Sequence, residues 1–405
     1  MWSYLKEYFD YRTALIVCGL VVVGIISIYS ATYDARAPEI TYRQLLWVAA
    51  GLGAFLIMMV LPYRALQFIS FPSYFLSILL LISVLLIGKT VSGSTSWFNL
   101  GPLRFQPSEF AKIATVLALS AYLSRTDVSL RNIKDLLIAS GIVLLPVLLI
   151  LKQPDTGTAL IYLGMFVPVL YWGGASRFTL LAVFAPLIAV VAALFGTTPF
   201  LIAVVVLGIF LYVTKENRIA AAAAFSATVL AGISMQFIYD RLKPYQQKRI
   251  TTFLNPGADP LGAGYNILQS KVAIGSGGLF GKGYLKGTQT QLNFIPEQWT
   301  DFIFCVPGEE FGFVGAVVVL SLLGALLVRG VQIASSMKTT FGSFVAIGIT
   351  AVFGIHVFMN VGMAIGLLPV VGVPLPFLSY GGSALMANMA MAGILMNLYA
   401  HRKEH

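Results

Sequence analysis

Twelve predominantly apolar runs follow one another along this chain, at about 13–32, 43–61, 70–88, 107–124, 135–152, 156–173, 177–196, 199–214, 219–239, 303–328, 342–370 and 375–400. The hydrocarbon core of a bilayer is crossed by about 20 such residues in a helix. Inside lipid the backbone has to satisfy its own hydrogen bonds, which restricts spanning segments of this length to helices. The expected fold class is therefore all-α: a polytopic transmembrane helical bundle of 10–12 spans, twelve by this count, with 199–214 the shortest. Composition points the same way, since 58% of the residues are hydrophobic and 10% are charged, against about 25% charged in a soluble domain.

An even number of spans puts both termini on one side. With the N-terminus inside, short inner segments hold thirteen Lys and Arg, while short outer segments hold Arg36, Arg43, Lys89, Arg104 and Lys152. That asymmetry places both termini in the cytoplasm. The run after Arg12 is longer than the apolar core of a cleavable signal and reads as an uncleaved first helix. The segment from about 240 to 301 becomes one large extracytoplasmic loop, and residues 1–405 read as a single membrane domain.

The formal net charge of +10 lies scattered in short loops without a basic stripe, which argues against a nucleic-acid partner. Cys18 and Cys305 show neither a disulfide framework nor metal-ligand spacing. The three histidines, two of them at the C-terminus, do not make a zinc or haem site. Gly275 to Gly283 resembles a phosphate loop but has Ser276 and Phe280 where the two nucleotide-binding spacings need glycine. No nucleotide or organic cofactor is expected.

Acidic residues are few, and Glu109, Asp155, Asp259, Glu297, Asp301, Glu309 and Glu310 gather near the outer boundary. Ionisable groups at membrane depth mark functional sites. Asp301, in Pro296-Glu-Gln-Trp-Thr-Asp-Phe-Ile-Phe304, stands where the loop enters an apolar helix. It suits a general base or metal ligand there, and a helix cap by Thr300 or Asp301 accounts for the position as well. In Leu103-Arg-Phe-Gln-Pro-Ser-Glu-Phe-Ala-Lys112, Pro107 and Glu109 suit a helix N-terminus. Lys112 enters the membrane at a cost of roughly 2.5–3.5 kcal/mol on insertion scales and pairs with Glu109 three residues earlier. With Arg104, that helix end also offers an anion site. Trp97 reads either as an interface tryptophan or as a sugar-stacking platform. Pro369 to Ser383 interrupts two apolar runs; such a break is either a tight turn or cavity-lining backbone.

Five segments together resemble the SEDS family (shape, elongation, division and sporulation): Phe105 to Lys112, Lys152-Gln-Pro-Asp-Thr-Gly157, Asp259 through Gly283, Pro296 to Phe304 and Pro369 to Ser383. The run Tyr265 to Gly278 is closer to the rod-shape branch of that family than to its division branch. The resemblance implies a peptidoglycan glycosyltransferase of the bacterial cytoplasmic membrane that polymerises lipid II at the outer face for elongation and rod shape. It makes Asp301 the catalytic carboxylate and Trp97 functionally important. Arg104, Gln106, Glu109, Lys112, Lys271, Glu297 and Ser379 are the supporting candidates, and Asp301 can also take a divalent cation such as Mg or Mn. The expected partners are membrane lipid, a monofunctional class B penicillin-binding protein and other membrane proteins of the elongation complex. A lipid II flippase and a non-enzymatic scaffold are the alternatives. The family usually has ten spans, which makes 199–214 and 219–239 an added pair that preserves the topology.

Overall fold

The computed structural model describes residues 8–34, 37–91, 93–100, 103–215, 217–241, 247 and 264–403. Lys6, Arg36 and Asp259 lie outside them. Every apolar run becomes a helix. The first nine are α1 (Tyr11–Tyr33), α2 (Pro38–Val60), α3 (Tyr63–Ile87), α4 (Pro107–Leu123), α5 (Ile133–Lys152), α6 (Thr156–Trp172), α7 (Arg177–Leu194), α8 (Thr197–Thr214) and α9 (Arg218–Arg241). Three short helices follow, α10 (Tyr265–Ser276), α11 (Thr288–Gln291) and α12 (Cys305–Glu310), then α13 (Gly312–Ser336), α14 (Thr340–Ala364) and α15 (Gly382–Ala400). Among the described residues, ten helices are long and apolar enough to cross a membrane. The other two that arise from the apolar runs, α4 and α6, have 17 residues each. The runs 199–214 and 219–239 are separate helices, α8 and α9.

Several boundaries differ from the expected runs, and three of them have a backbone reason. The run expected at 303–328 is broken after Phe311, because Gly312 has φ +64. Glu309 and Glu310 therefore precede the long helix. The run expected to reach 370 ends at Ala364, since Gly366 turns with φ +73, and Pro369 cannot continue a helix. The last run begins at Gly382 instead of 375, after Pro374 and Pro376.

The described residues also include one sheet. β1 (Lys89–Val91), β2 (Ser94–Leu100) and β3 (Leu103–Phe105) are antiparallel and lie in that order. Ser94 Oγ and Thr95 N–H both donate to the carbonyl of Gln153 (2.7 and 3.1 Å). Gln153 Nε2 in turn donates to Leu81 O at 3.1 Å. The sheet is thereby held at the end of the bundle where α5 turns into α6.

The chain divides into two compact units. The first comprises Met1–Val128, Leu137–Val169 and Tyr265–His405. Within it α4, α14 and α15 are the most enclosed, with α15 packed on α2. Small residues allow that approach: a Cβ on Gly393 would collide with the Phe55 carbonyl and one on Gly382 with the Trp47 ring. Close backbone contact of this kind is how helices pack where lipid removes the hydrophobic drive. At the end carrying the N-terminus, Arg329 Nε pairs with buried Asp10 at 2.9 Å. The second unit comprises Ser129–Leu136 and Leu170–Gly264. Ala185 of α7 with Leu207 and Leu211 of α8 form its core, joined by Phe178, Leu181 and Ala224.

Candidate active site

Three segments of the first unit converge: the turn 296–304, the break between α14 and α15, and the polar face of α14. Asn360, buried on α14, donates through Nδ2 to Asp301 O and to Val373 O, both at 2.8 Å. Ser379 Oγ donates to Thr300 O at 2.6 Å and accepts from Leu375 N–H at 2.8 Å. Tyr380 N–H donates to Trp299 O at 2.8 Å. The broken backbone, which lipid would not tolerate unsatisfied, thus binds Trp299 O through Tyr380 N–H, while the Ser379 and Asn360 side chains fasten the Thr300 and Asp301 carbonyls.

Asp301 is half-buried. Its N–H donates to Glu297 O at 3.1 Å, across a turn that starts with Glu297 at φ +54. A Cβ on Gly372 would stand 3.3 Å from Asp301 Oδ2, so the glycine leaves room for that carboxylate. α12 begins only at Cys305, with Phe304 at its N-cap position. The helix-cap account of Thr300 and Asp301 therefore does not hold. Glu297 is exposed and receives the Thr300 hydroxyl at 3.3 Å.

A second polar group lies one helical turn away on α14. Lys112 is fully buried, with Nζ 2.8 Å from Glu109 Oε2 and 2.9 Å from His356 Nε2. His356 Nδ1 is 3.0 Å from the Pro374 carbonyl. That carbonyl can only accept, which assigns the ring proton to Nδ1 and leaves the Nε2 lone pair facing Lys112. His356 and Asn360, four residues apart, therefore grip consecutive carbonyls, Pro374 and Val373, of the same break. The Glu109–Lys112 pair is joined through that break to the backbone of Asp301.

Gln106 connects the group to the α5–α6 turn. Its Nε2 donates to Asp155 Oδ2 at 3.2 Å, and its N–H to Ser383 Oγ at 3.1 Å. Ser383 Oγ also donates to Arg104 O at 3.2 Å. Burial raises the Asp155 carboxyl above the usual range, although the Thr158 N–H and hydroxyl favour its charged form. Arg104 is exposed, and half-buried Trp97 sits on β2 opposite Lys89. Lys271 is exposed on α10 and covers Gly366, with Nζ 2.6 Å from where a Cβ would stand. Neither Trp97 nor the Lys271 side chain is hydrogen-bonded to the Asp301 or Lys112 groups among the described residues.

The glycine run has a structural use. Gly281 N–H bonds Gly277 O, while Lys282 and Gly283 donate to Glu309 O and Glu310 O at 3.0 and 2.9 Å. A Cβ on Gly277 or Gly281 would collide with backbone of 308–311. Glu309 is enclosed by Lys282 Nζ, the N–H groups of Gln289 and Thr290 and the Thr290 hydroxyl, all within 2.9 Å. Burial pulls this carboxyl upward, but those donors outweigh it and hold it below its ordinary value.

His356 and Asn360 escaped the sequence reading because the run 342–370 registered only as apolar. Their spacing was the available signal, since i and i+4 place two polar side chains on one face of an otherwise apolar helix. Asn360→Leu is expected to remove the side-chain donor that the Asp301 and Val373 carbonyls share. The cost should be about 1–3 kcal/mol per orphaned group, measured as a lower thermal midpoint of the purified protein.

Comparison with known proteins places these features in a lineage. The chain is 38% identical over 401 residues to the peptidoglycan glycosyltransferase MrdB of Escherichia coli strain K12, covering 98% of this chain and 95% of that protein. It is 36% identical over 431 residues to the peptidoglycan glycosyltransferase RodA of Treponema pallidum, covering 97% and 98%. A chain of a peptidoglycan synthase complex, solved in work on coordination of polymerization and crosslinking, superposes with a TM-score of 0.74. The two are 30% identical, with 98% of this chain and 99% of that one covered. The family model for the cell cycle proteins FtsW, RodA and SpoVE matches residues 8–203 and 195–404, and the chain belongs to that family.

Proposed function

We propose that this chain is a multi-pass peptidoglycan glycosyltransferase that polymerises lipid II at the outer face of the bacterial cytoplasmic membrane during elongation. The observation that carries the reading is the presentation of Asp301. In a chain 38% identical to a peptidoglycan glycosyltransferase, one half-buried carboxylate is held by its backbone between Asn360 and Glu297 beside a glycine.

In the reaction, the 4-hydroxyl of one sugar attacks the anomeric carbon of another that is bonded to a lipid pyrophosphate. The carbon–oxygen bond to pyrophosphate breaks as the new glycosidic bond forms. An α-linked donor giving a β-linked polymer requires inversion, as in a single displacement with one base. Asp301 takes the hydroxyl proton. Arg104 and Lys271, exposed at the same end, neutralise the departing pyrophosphate. Lys112 does not serve there, because it is buried and occupied by Glu109 and His356. Trp97 offers a face for a sugar ring, and Gln106 and Ser379 position backbone.

Among the described residues no cluster of three or more His, Cys, Asp or Glu could hold a metal ion. A single carboxylate together with substrate phosphates is, however, a common magnesium-binding arrangement, and Asp301 fits it. A divalent cation held there would supply further neutralisation of the leaving group. The membrane partner proposed is a monofunctional class B penicillin-binding protein, which cross-links the strand as it emerges.

Purified protein given lipid II, with and without that partner, should produce glycan chains resolvable by size. Transfer of lipid II across a vesicle membrane without polymer would favour a flippase, and neither activity would favour a scaffold. The proposed topology has its own check. A cysteine introduced at exposed Phe280 should react with an impermeant maleimide in intact cells, and one at Arg131 only after permeabilisation. The reverse pattern would invert the site's placement.

A further inference from the structure

We propose that the groove between α8 and α9 binds an anionic phospholipid. The groove lies wholly within the second unit and has a volume of about 570 Å³. Its walls are apolar, including Val204, Gly208 and Phe225. Gly208 lets the two helices approach closely at its base: a Cβ there would stand 2.8 Å from the Phe225 ring, so that ring rests against the glycine backbone.

One end is chemically different. Lys215 and Arg218 both line it, and Lys215 Nζ lies 3.2 Å from the centroid of the Tyr212 ring. That cation–π contact orients the ammonium. The 24-residue helix α9 starts at Arg218, so its positive end adds to the same region. Asn217 Oδ1 accepts from Ile219 N–H at 2.8 Å, and Glu216, between the two cations in sequence, lies outside the described residues. A long apolar slot closed by two cations matches an amphiphile with acyl chains and a negatively charged headgroup. A docked protein helix would match the slot alone and leave both cations without an anion. On the proposed topology this end faces the cytoplasmic leaflet, where basic pockets between helices recognise anionic headgroups.

The test is native mass spectrometry of the full-length protein in detergent, titrated with phosphatidylglycerol or phosphatidylcholine. Phosphatidylglycerol should be retained in preference on the order of ten-fold. Lys215→Gln with Arg218→Gln should bring the two lipids to near equality, and Lys215→Arg with Arg218→Lys should keep the preference, which separates charge loss from misfolding. Ala222→Phe, which puts a ring into the groove, should reduce retention of phosphatidylglycerol. Equal retention of both lipids by the unaltered protein would overturn the proposal. So would a preference that survives the double glutamine variant, or displacement of the lipid by excess free glycerol 3-phosphate.

Discussion

Asp301→Asn should lower the rate of lipid II polymerisation by about two orders of magnitude or more, the usual scale for loss of a general base. The fold should survive, because two hydrogen bonds that hold this residue are made by its backbone. Asn360 Nδ2 donates to its carbonyl and its own N–H donates to Glu297 O, and an asparagine keeps both. Its side chain is nearly isosteric and fits the space beside Gly372. What changes is proton affinity and charge. Glu297→Gln in the adjacent turn provides the contrast: Glu297 is exposed, and its replacement should cost far less activity. Glycan synthesis at a near-normal rate by purified Asp301→Asn would remove Asp301 as the base and return that role to Glu297.

Lys112→Met should cost about 3–5 kcal/mol in stability. From the sequence, the substitution is expected to fold well because it removes a charge from the membrane. The enclosure of the pair argues for the opposite outcome. Lys112 and Glu109 are 0% and 3% exposed as side chains and bonded at 2.8 Å. Deleting the lysine therefore strands a buried carboxylate and leaves His356 Nε2 without its donor. The double variant Lys112→Met with Glu109→Gln removes both charges and should recover most of the lost thermal midpoint, since neutral replacement of a buried pair is often tolerated. If polymerisation stays low in the stabilised double variant, the pair acts on the site through His356 and the 373–374 backbone. If the single variant is as stable as the unaltered protein, Glu109 and Lys112 do not form an ion pair in the membrane.

Much of the molecule was legible in the linear chain, because lipid leaves a backbone few choices. All twelve apolar runs became helical, ten of the helices among the described residues being long and apolar enough to cross a membrane, and the scarce carboxylates stood out near one expected boundary. Sequence periodicity did not reveal the sheet at 89–105, whose strands are only 3 to 7 residues long and alternate weakly. Nor did it reveal the helix breaks at Phe311 and after Ala364, where hydropathy continues without pause. Those breaks depend on single glycines at positive φ, Gly312 and Gly366, and on which backbone approaches them.

Spans, fold class and the candidacy of Asp301, Glu109 and Lys112 thus followed from residue order alone, since burial cost makes an isolated ionisable group conspicuous in an apolar chain. The tertiary structure decided how they are used. It joined α4 to α14 through Lys112 and His356, residues 244 apart, and tied Thr300 to Ser379, 79 positions later, with Trp299 bonded to Tyr380 beside it. Hydrogen bonds over such separations depend on which helices pack together, and local propensity carries no record of that packing.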